Sequence, residues 1–453
     1  MKQLLVRTYR DPYALASPED VLDRDLFGGD NNGNLLFSEA AVRALSVKGT
    51  DVTCVALESQ PLDPAEANEK FDHLVLPLAN AFRSSFKGRL ESLTSLVEQL
   101  TIPVTVLGVG AQSDIEFGFE ELAPVDDVVR RFTAAVLERS PSLGVRGEFT
   151  QSYLAHLGFR DVEVIGCPSM FYNGADLPSR PLAGPLDETS RIGFNLTPKL
   201  PEAEALARGL ASRYPGLTYF PQGKRELELV LWGRRGIPHR DPATAGFHDL
   251  AHPLFTGVTT HVHVHPRSWI EDLAGFDFNL GTRIHGNVAA LLAGTPSHLL
   301  SADSRTRELA TYFDLPWTRL TDLEHPLDLA RLTEGADYEA VGRGHAGRFE
   351  RYRTFLASHG LNHVWEDGAR STYDQKLRNK LLPAPAVSGP DTSIDLTTRL
   401  GHVRRRSEHG LAELEARLDR QEKQLNRLRR QVREQQGGGT GRAQRLARLV
   451  RRR

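Results

Sequence analysis

Short apolar runs and helix-periodic stretches alternate along this chain from its first residues. Positions 4–9, 52–57 and 73–78 read as strands. Residues 102–109, Ile-Pro-Val-Thr-Val-Leu-Gly-Val, are almost wholly apolar, as a strand covered on both faces should be. A Gly/Asn/Asp-rich loop at 28–34 leads into a helix predicted over 35–45, and further helices are predicted over 125–137 and 149–157, the last stopped by Gly158. Strands at 143–146 and 162–166 complete a βα rhythm that predicts a Rossmann-like, doubly wound domain over 1–180.

The Pro- and Gly-containing stretch 181–189 reads as a linker, after which the rhythm restarts. Strands are predicted at 192–196, 217–220, 260–265 and 298–301, with a helix at 202–213, giving a second α/β domain over 190–335. A helix over 338–359 lies in a segment, 336–382, expected to pack back on the body. Residues 383–408 begin Pro/Ser/Thr-rich and read as a flexible linker. Then Leu411, Leu414, Leu418, Gln421, Leu425, Leu428 and Val432 follow spacings of three and four, predicting a short coiled coil over 409–436. Three glycines at 437–439 precede an Arg-rich end, 437–453.

Charge divides the chain in the same place. Residues 401–453 carry 16 Lys/Arg against 6 Asp/Glu, while the remainder carries 40 against 52, so an acidic body ends in a basic tail. Arginines three apart with interleaved aliphatics read either as a solvated charge run or as peripheral contact with an anionic membrane face; without stacking aromatics they do not point to nucleic acid. No apolar run reaches the roughly 18 residues that span a bilayer, and the start of the chain lacks a signal-peptide core, so a cytoplasmic location is expected. Two cysteines, Cys54 and Cys167, make neither a disulfide framework nor a cysteine-rich metal site.

The richest chemistry lies in residues 276–296, F-D-F-N-L-G-T-R-I-H-G-N-V-A-A-L-L-A-G-T-P. A strand over 276–280, a Gly-Thr turn and a helix over 287–293 place Arg283 and His285 at the carboxyl end of a strand, beside a helix amino terminus. A fixed cation, an imidazole and free backbone N–H groups together favour a small anionic substrate.

Four blocks in order carry a family resemblance: G-D-N-N-G-N-L-L-F (29–37), I-P-V-T-V-L-G-V-G-A-Q (102–112), L-G-V-R-G-E-F-T-Q-S-Y-L-A-H-L-G with V-I-G-C-P-S (143–169), and D-F-N-L-G-T-R-I-H-G-N-V-A-A-L-L-A-G-T-P with D-S-R-T-R-E-L (277–309). They resemble the polysaccharide pyruvyl transferases across about residues 25–335. The resemblance implies an α/β fold of two Rossmann-like domains facing across a cleft (GT-B-like), with the coiled-coil and basic tail outside it. It also implies transfer of pyruvate from phosphoenolpyruvate to a sugar diol as a cyclic ketal, on a cell-surface glycan, glycolipid or lipid-linked precursor. His285 matches the catalytic histidine position, as general acid/base. Arg146 and Arg283 suit the donor's carboxylate and phosphate, because a guanidinium binds both in a fork. Arg305 is expected to be a further anion contact, with a plain surface charge as the alternative, and no cofactor or metal is expected.

The remaining residues leave alternatives open. Where the family often has Asn-x-Gly-Asp, this chain ends in Asn34, with Asp30 four residues earlier as a substitute; Asn34 is alternatively a helix N-cap. Arg146 has a rival reading as the ion-pair partner of Glu148. The alternating His261, His263 and His265 make an awkward tetrahedral set on one strand, so His265 is expected to line the cleft rather than hold a metal. Loops around 112–122 and 221–247 are expected to shape acceptor choice. Two competing functions remain: a GT-B-type glycosyltransferase using a nucleotide sugar, and a catalytically silent protein that self-associates through the coiled coil.

Overall fold

The computed structural model describes residues 2–27, 31–56, 62–233, 247, 249–390 and parts of 400–425. Two compact units divide the chain, residues 1–393 and 394–453.

Within the first unit two sheets are built from short apolar strands. The first comprises β1 (Lys2–Thr8), β2 (Thr50–Ala56), β3 (His73–Pro77) and β4 (Val104–Leu107), all parallel in the order β2-β1-β3-β4. A parallel pair, β5 (Leu143–Val145) and β6 (Val162–Val164), continues it through the bridge Val109–Val145. The second sheet contains β7 (Ile192–Asn195), β8 (Leu217–Tyr219), β9 (Thr259–Val262), β10 (Phe278–Gly281), β11 (Ser297–Ser301), β12 (Trp317–Arg319) and β13 (Ala386–Ser388). Its order is β12-β11-β10-β7-β8-β9-β13, parallel except for β13 at the edge. The fold is thus two parallel α/β halves facing across a cleft.

Two helices wedge the halves together, and their sequences say why. Helix Gly33–Leu45 buries Leu36, Phe37, Ala40, Ala41 and Leu45, and helix Ile284–Leu292 buries Val288 through Leu292. A helix apolar on all sides must be covered on all sides, and burying each Leu or Phe is worth about 1.5–3 kcal/mol. Both helices share one core cluster with Leu4, Val6 and Phe171. Helix Ala340–Ser358 adds Phe349, Tyr352 and Phe355 to that cluster, so the chain returns across to the first half. There Val47 bridges Ser371.

The segment expected to be a flexible linker from 383 onward contributes β13, which pairs antiparallel with β9 at Thr260–Val262. Two prolines, Pro383 and Pro385, precede it; Pro is tolerated at a sheet edge because no ladder bond needs its missing N–H.

In the second unit the described positions between 400 and 425 are helical, with the i,i+4 pairs Arg404–Glu408 at 2.9 Å and Asp419–Lys423 at 2.7 Å. Leu411, Leu414, Leu418 and Leu425 are exposed on it. Gln421 is helical and exposed there too, while Leu428, Val432 and the Arg-rich end lie outside the described residues. No helix among the described residues is long and apolar enough to cross a membrane.

Candidate active site

The carboxyl ends of strands from both sheets point into one cavity of about 520 Å³. Tyr9 follows β1, Arg83 lies in the connection after β3, Arg146 follows β5, Thr197 follows β7, Gln222 follows β8, Arg283 follows β10 and Arg305 follows β11. This is where ligands sit in open α/β sheets, because strand ends there give way to loops and helix amino termini. Eight of the lining side chains are Lys or Arg and one, Glu226, is acidic. Such a surface selects an anion.

Arg146 is the most deeply placed of these cations, at 2% exposure. Its backbone N–H donates to Val109 O at 3.0 Å, which fixes the turn between β5 and helix Glu148–His156. Its Nε and Nη2 are buried without a hydrogen-bond partner, so the ion pair with Glu148 foreseen as an alternative does not form. Burial lowers its pKa, opposed by Cys167 and Glu308. An unpartnered buried guanidinium is costly in a free protein unless an anion completes it.

Arg283 and His285 share the cavity but not an extended backbone. Arg283 is the N-cap of helix Ile284–Leu292, and His285 is already in its first turn. The helix therefore starts three residues before the predicted position. Asn195 Oδ1 accepts from the Arg283 N–H at 2.9 Å, and Arg283 Nε donates to Leu196 O at 2.8 Å. Asn287 fastens the same turn, donating from Nδ2 to Arg283 O at 2.9 Å and Gly281 O at 3.2 Å.

His285 is buried against Phe37, with its Nε2 3.7 Å from Cys167 Sγ. Gly33 makes room: a Cβ there would stand 2.9 Å from His285 Nδ1. Burial, then the charges of Arg146 and Arg305, push the imidazole pKa down to about 3. In the free protein it is neutral, a base awaiting a proton.

Arg305 lines the cavity with its Nε 2.8 Å from Asp303 Oδ2. Asn34 also lines it, but as the second residue of helix Gly33–Leu45; the N-cap is Asn32, without a side-chain cap bond. Asn32 instead crosses to the other half, donating its N–H to Gln222 O at 2.9 Å and its amide to His263 O. Asp30 lies outside the described residues. His265 does not line the cavity. The strand ends at Val262, Pro266 opens a helix, and His265 caps that helix by accepting the Arg267 N–H at 3.2 Å. His261 and His263 share a face and meet Asp272 at 2.6 Å and 2.8 Å, a cluster whose ligand atoms all lie within 4.8 Å of one another. Each imidazole there is already hydrogen-bonded to the carboxylate.

Sequence reasoning missed Arg83 as a lining residue; Gln222, Lys224 and Glu226 fall in the 221–247 segment expected to shape acceptor choice but were not singled out, and from Lys224 to Trp232 that segment is a helix rather than a loop. Each stands a few residues past a strand's carboxyl end, and that position was the available signal; no spacing links them because they come from separate βα units.

Residues 31–304 match the family model described as polysaccharide pyruvyl transferase. No curated protein matches the chain. Solved structures similar to it include the UDP-GlcNAc 2-epimerase of Methanocaldococcus jannaschii in complex with UDP-GlcNAc and UDP, at 10% identity and TM-score 0.39, covering 79% of this chain and 99% of that one. The UDP-GlcNAc 2-epimerase of Neisseria meningitidis bound to UDP-GlcNAc has 12% identity and TM-score 0.34, covering 80% and 94%. MurG of Acinetobacter baumannii has 10% identity and TM-score 0.34, covering 80% and 99%. With more than half its length inside the family match, the chain belongs to the polysaccharide pyruvyl transferase family.

Proposed function

We propose that this protein transfers pyruvate from phosphoenolpyruvate to a sugar diol as a cyclic ketal, on a cell-surface glycan, glycolipid or lipid-linked precursor. The observation that carries the reading is the buried, unpartnered guanidinium of Arg146 beside His285. Phosphoenolpyruvate brings a carboxylate and a phosphate, and Arg146, Arg305 and Arg283 line the cavity with the charges to hold them. Once the donor's charge offsets Arg146 and Arg305, His285 takes up a proton and delivers it to the methylene carbon, while a sugar hydroxyl attacks the adjacent carbon. The reaction belongs in the cytoplasm, where phosphoenolpyruvate is available. The tail serves self-association or membrane proximity, and removing residues 394–453 is expected to leave donor binding unchanged while reducing sedimenting mass or vesicle binding.

Calorimetric titration with phosphoenolpyruvate, UDP and GDP tests the reading. Binding of phosphoenolpyruvate that drops about tenfold or more in Arg146→Ala and Arg283→Ala, and is largely kept in His285→Ala, supports it. Preference for a nucleoside diphosphate would move the protein to the glycosyltransferases, and no binding of any of the three would favour a silent scaffold.

A further inference from the structure

Resting on that reading, we infer that Glu226 is the base that takes the proton from the attacking sugar hydroxyl. Ketal formation releases two hydroxyl protons. The first O–H bond breaks as its oxygen forms a bond to C2 of phosphoenolpyruvate, and the C2=C3 electron pair takes a proton to make the methyl group. The bond from C2 to the phosphate oxygen then breaks, and phosphate leaves with the electron pair. The second hydroxyl oxygen bonds C2, and its proton departs with the phosphate. His285 as the acid at C3 leaves the attacking oxygen in need of a separate base, on the acceptor's side of the enol carbon.

Among the described lining residues the cavity offers one carboxylate, Glu226. It sits in the first turn of helix Lys224–Trp232, just past β8, on the wall contributed by the second half. It is 4% exposed and lines the cavity. A Cβ on Gly223 would stand 2.0 Å from Glu226 Oε2, so the carboxylate folds back over the N-cap residue of its own helix, which also lines the cavity. Arg283 is its electrostatic partner, which ties it to the turn that carries His285. The polar groups of Asn31 and Asn34, from the other half, are amides and take no proton. A carboxylate on the wall of a cavity that also carries eight Lys and Arg side chains is placed to accept a proton from a ligand. Its proton then returns to His285 or solvent before the next cycle, so one hydroxyl proton ends in the methyl group and the other on phosphate.

The experiment compares wild type with Glu226→Gln and Glu226→Asp. Phosphate release from phosphoenolpyruvate is followed with methyl glycosides bearing 4,6-diols or cis-vicinal diols as acceptors, and water as background acceptor. Donor affinity is read by calorimetry and folding by thermal melting. The expected result is a kcat at least about 100-fold lower in Glu226→Gln, with the fold retained by thermal melting, donor affinity not weakened, and partial recovery in Glu226→Asp. Gln keeps the size and the helix position, so a merely structural Glu226 would show little loss. Turnover within about threefold of wild type in Glu226→Gln overturns the inference, as does a raised acceptor KM with kcat intact. Failure of wild type to bind phosphoenolpyruvate overturns the donor reading instead, and this inference with it.

Discussion

A Cβ on Gly110 would stand 2.4 Å from both Cδ and Nε of Arg146. The backbone after β4 and the side chain after β5 therefore occupy one space, and glycine at 110 is what lets the guanidinium lie where it does. Backbone and buried arginine leave no slack for even a methyl group. Gly110→Ala is expected to displace Arg146 and weaken phosphoenolpyruvate binding about tenfold or more, while the fold survives with a loss of about 1–3 kcal/mol from overpacking. Calorimetry beside a thermal melt checks it, and unchanged donor affinity would show that Arg146 is not the donor's ligand.

Arg146 itself should trade stability for binding. Its Nε and Nη2 are buried and unpartnered in the free protein. Replacing an uncompensated buried charge by an apolar side chain of similar length removes a desolvation cost. Arg146→Met is expected to melt at a higher temperature than wild type, by a few degrees, and to lose detectable phosphoenolpyruvate binding. A lower melting temperature would mean that the guanidinium contributes to the fold rather than to a ligand.

How far the sequence foretold this site depended on where its signals lay. The 276–296 unit was legible because strand, turn and helix follow one another without interruption, and its Ala/Leu run has only one role. The helix start was misplaced because Asn287 looks like a boundary residue, whereas its amide is spent inside the first turn on Gly281 and Arg283. His263 and His265 continued an alternating pattern past Val262, where the strand ends ahead of the helix that Pro266 opens, so periodicity alone carried the strand too far. β13 was hidden by its prolines. Arg83 was invisible, and Glu226 was placed only within the 221–247 segment, for a different reason: cavity walls assembled from separate strand ends share no spacing in the chain.

On the proposed function, the imidazole of His285 is expected to make donor binding pH-dependent. Its folded pKa is about 3 against an ordinary 6.5. Between those values the unfolded chain takes a proton that the folded chain refuses. This residue's contribution to stability is thus present above about pH 6.5 and is lost, by about 1.4 kcal/mol per pH unit at most, as pH falls through that window. His285→Gln should flatten the fall in melting temperature between pH 6 and pH 4. With the donor bound, its negative charge opposes Arg146 and Arg305, so the imidazole takes up a proton. Binding enthalpies measured at pH 7 in buffers of different ionisation enthalpy should reveal that uptake in wild type and not in His285→Gln. Equal enthalpies across buffers in wild type would refute it.

Asn287 decides whether Arg283 and His285 stay in register. Its Oδ1 accepts from Ser297 Oγ at 2.8 Å and from Asn279 Nδ2 at 3.2 Å, while its Nδ2 donates to the carbonyls of Arg283 and Gly281. One fully buried amide thus joins β10, β11 and the first turn of helix Ile284–Leu292. Asn287→Ala would leave several buried polar groups unsatisfied at once, each costing about 1–3 kcal/mol. A loss of about 2–4 kcal/mol is expected by chemical denaturation, with phosphoenolpyruvate affinity reduced because the turn holding Arg283 loosens. Ser297→Ala removes the Ser297 Oγ partner of Asn287 and leaves the turn's own bonds intact, so it should cost less stability and spare the donor site. Equal effects of the two variants on donor affinity would mean that the amide holds the sheet together without positioning the site.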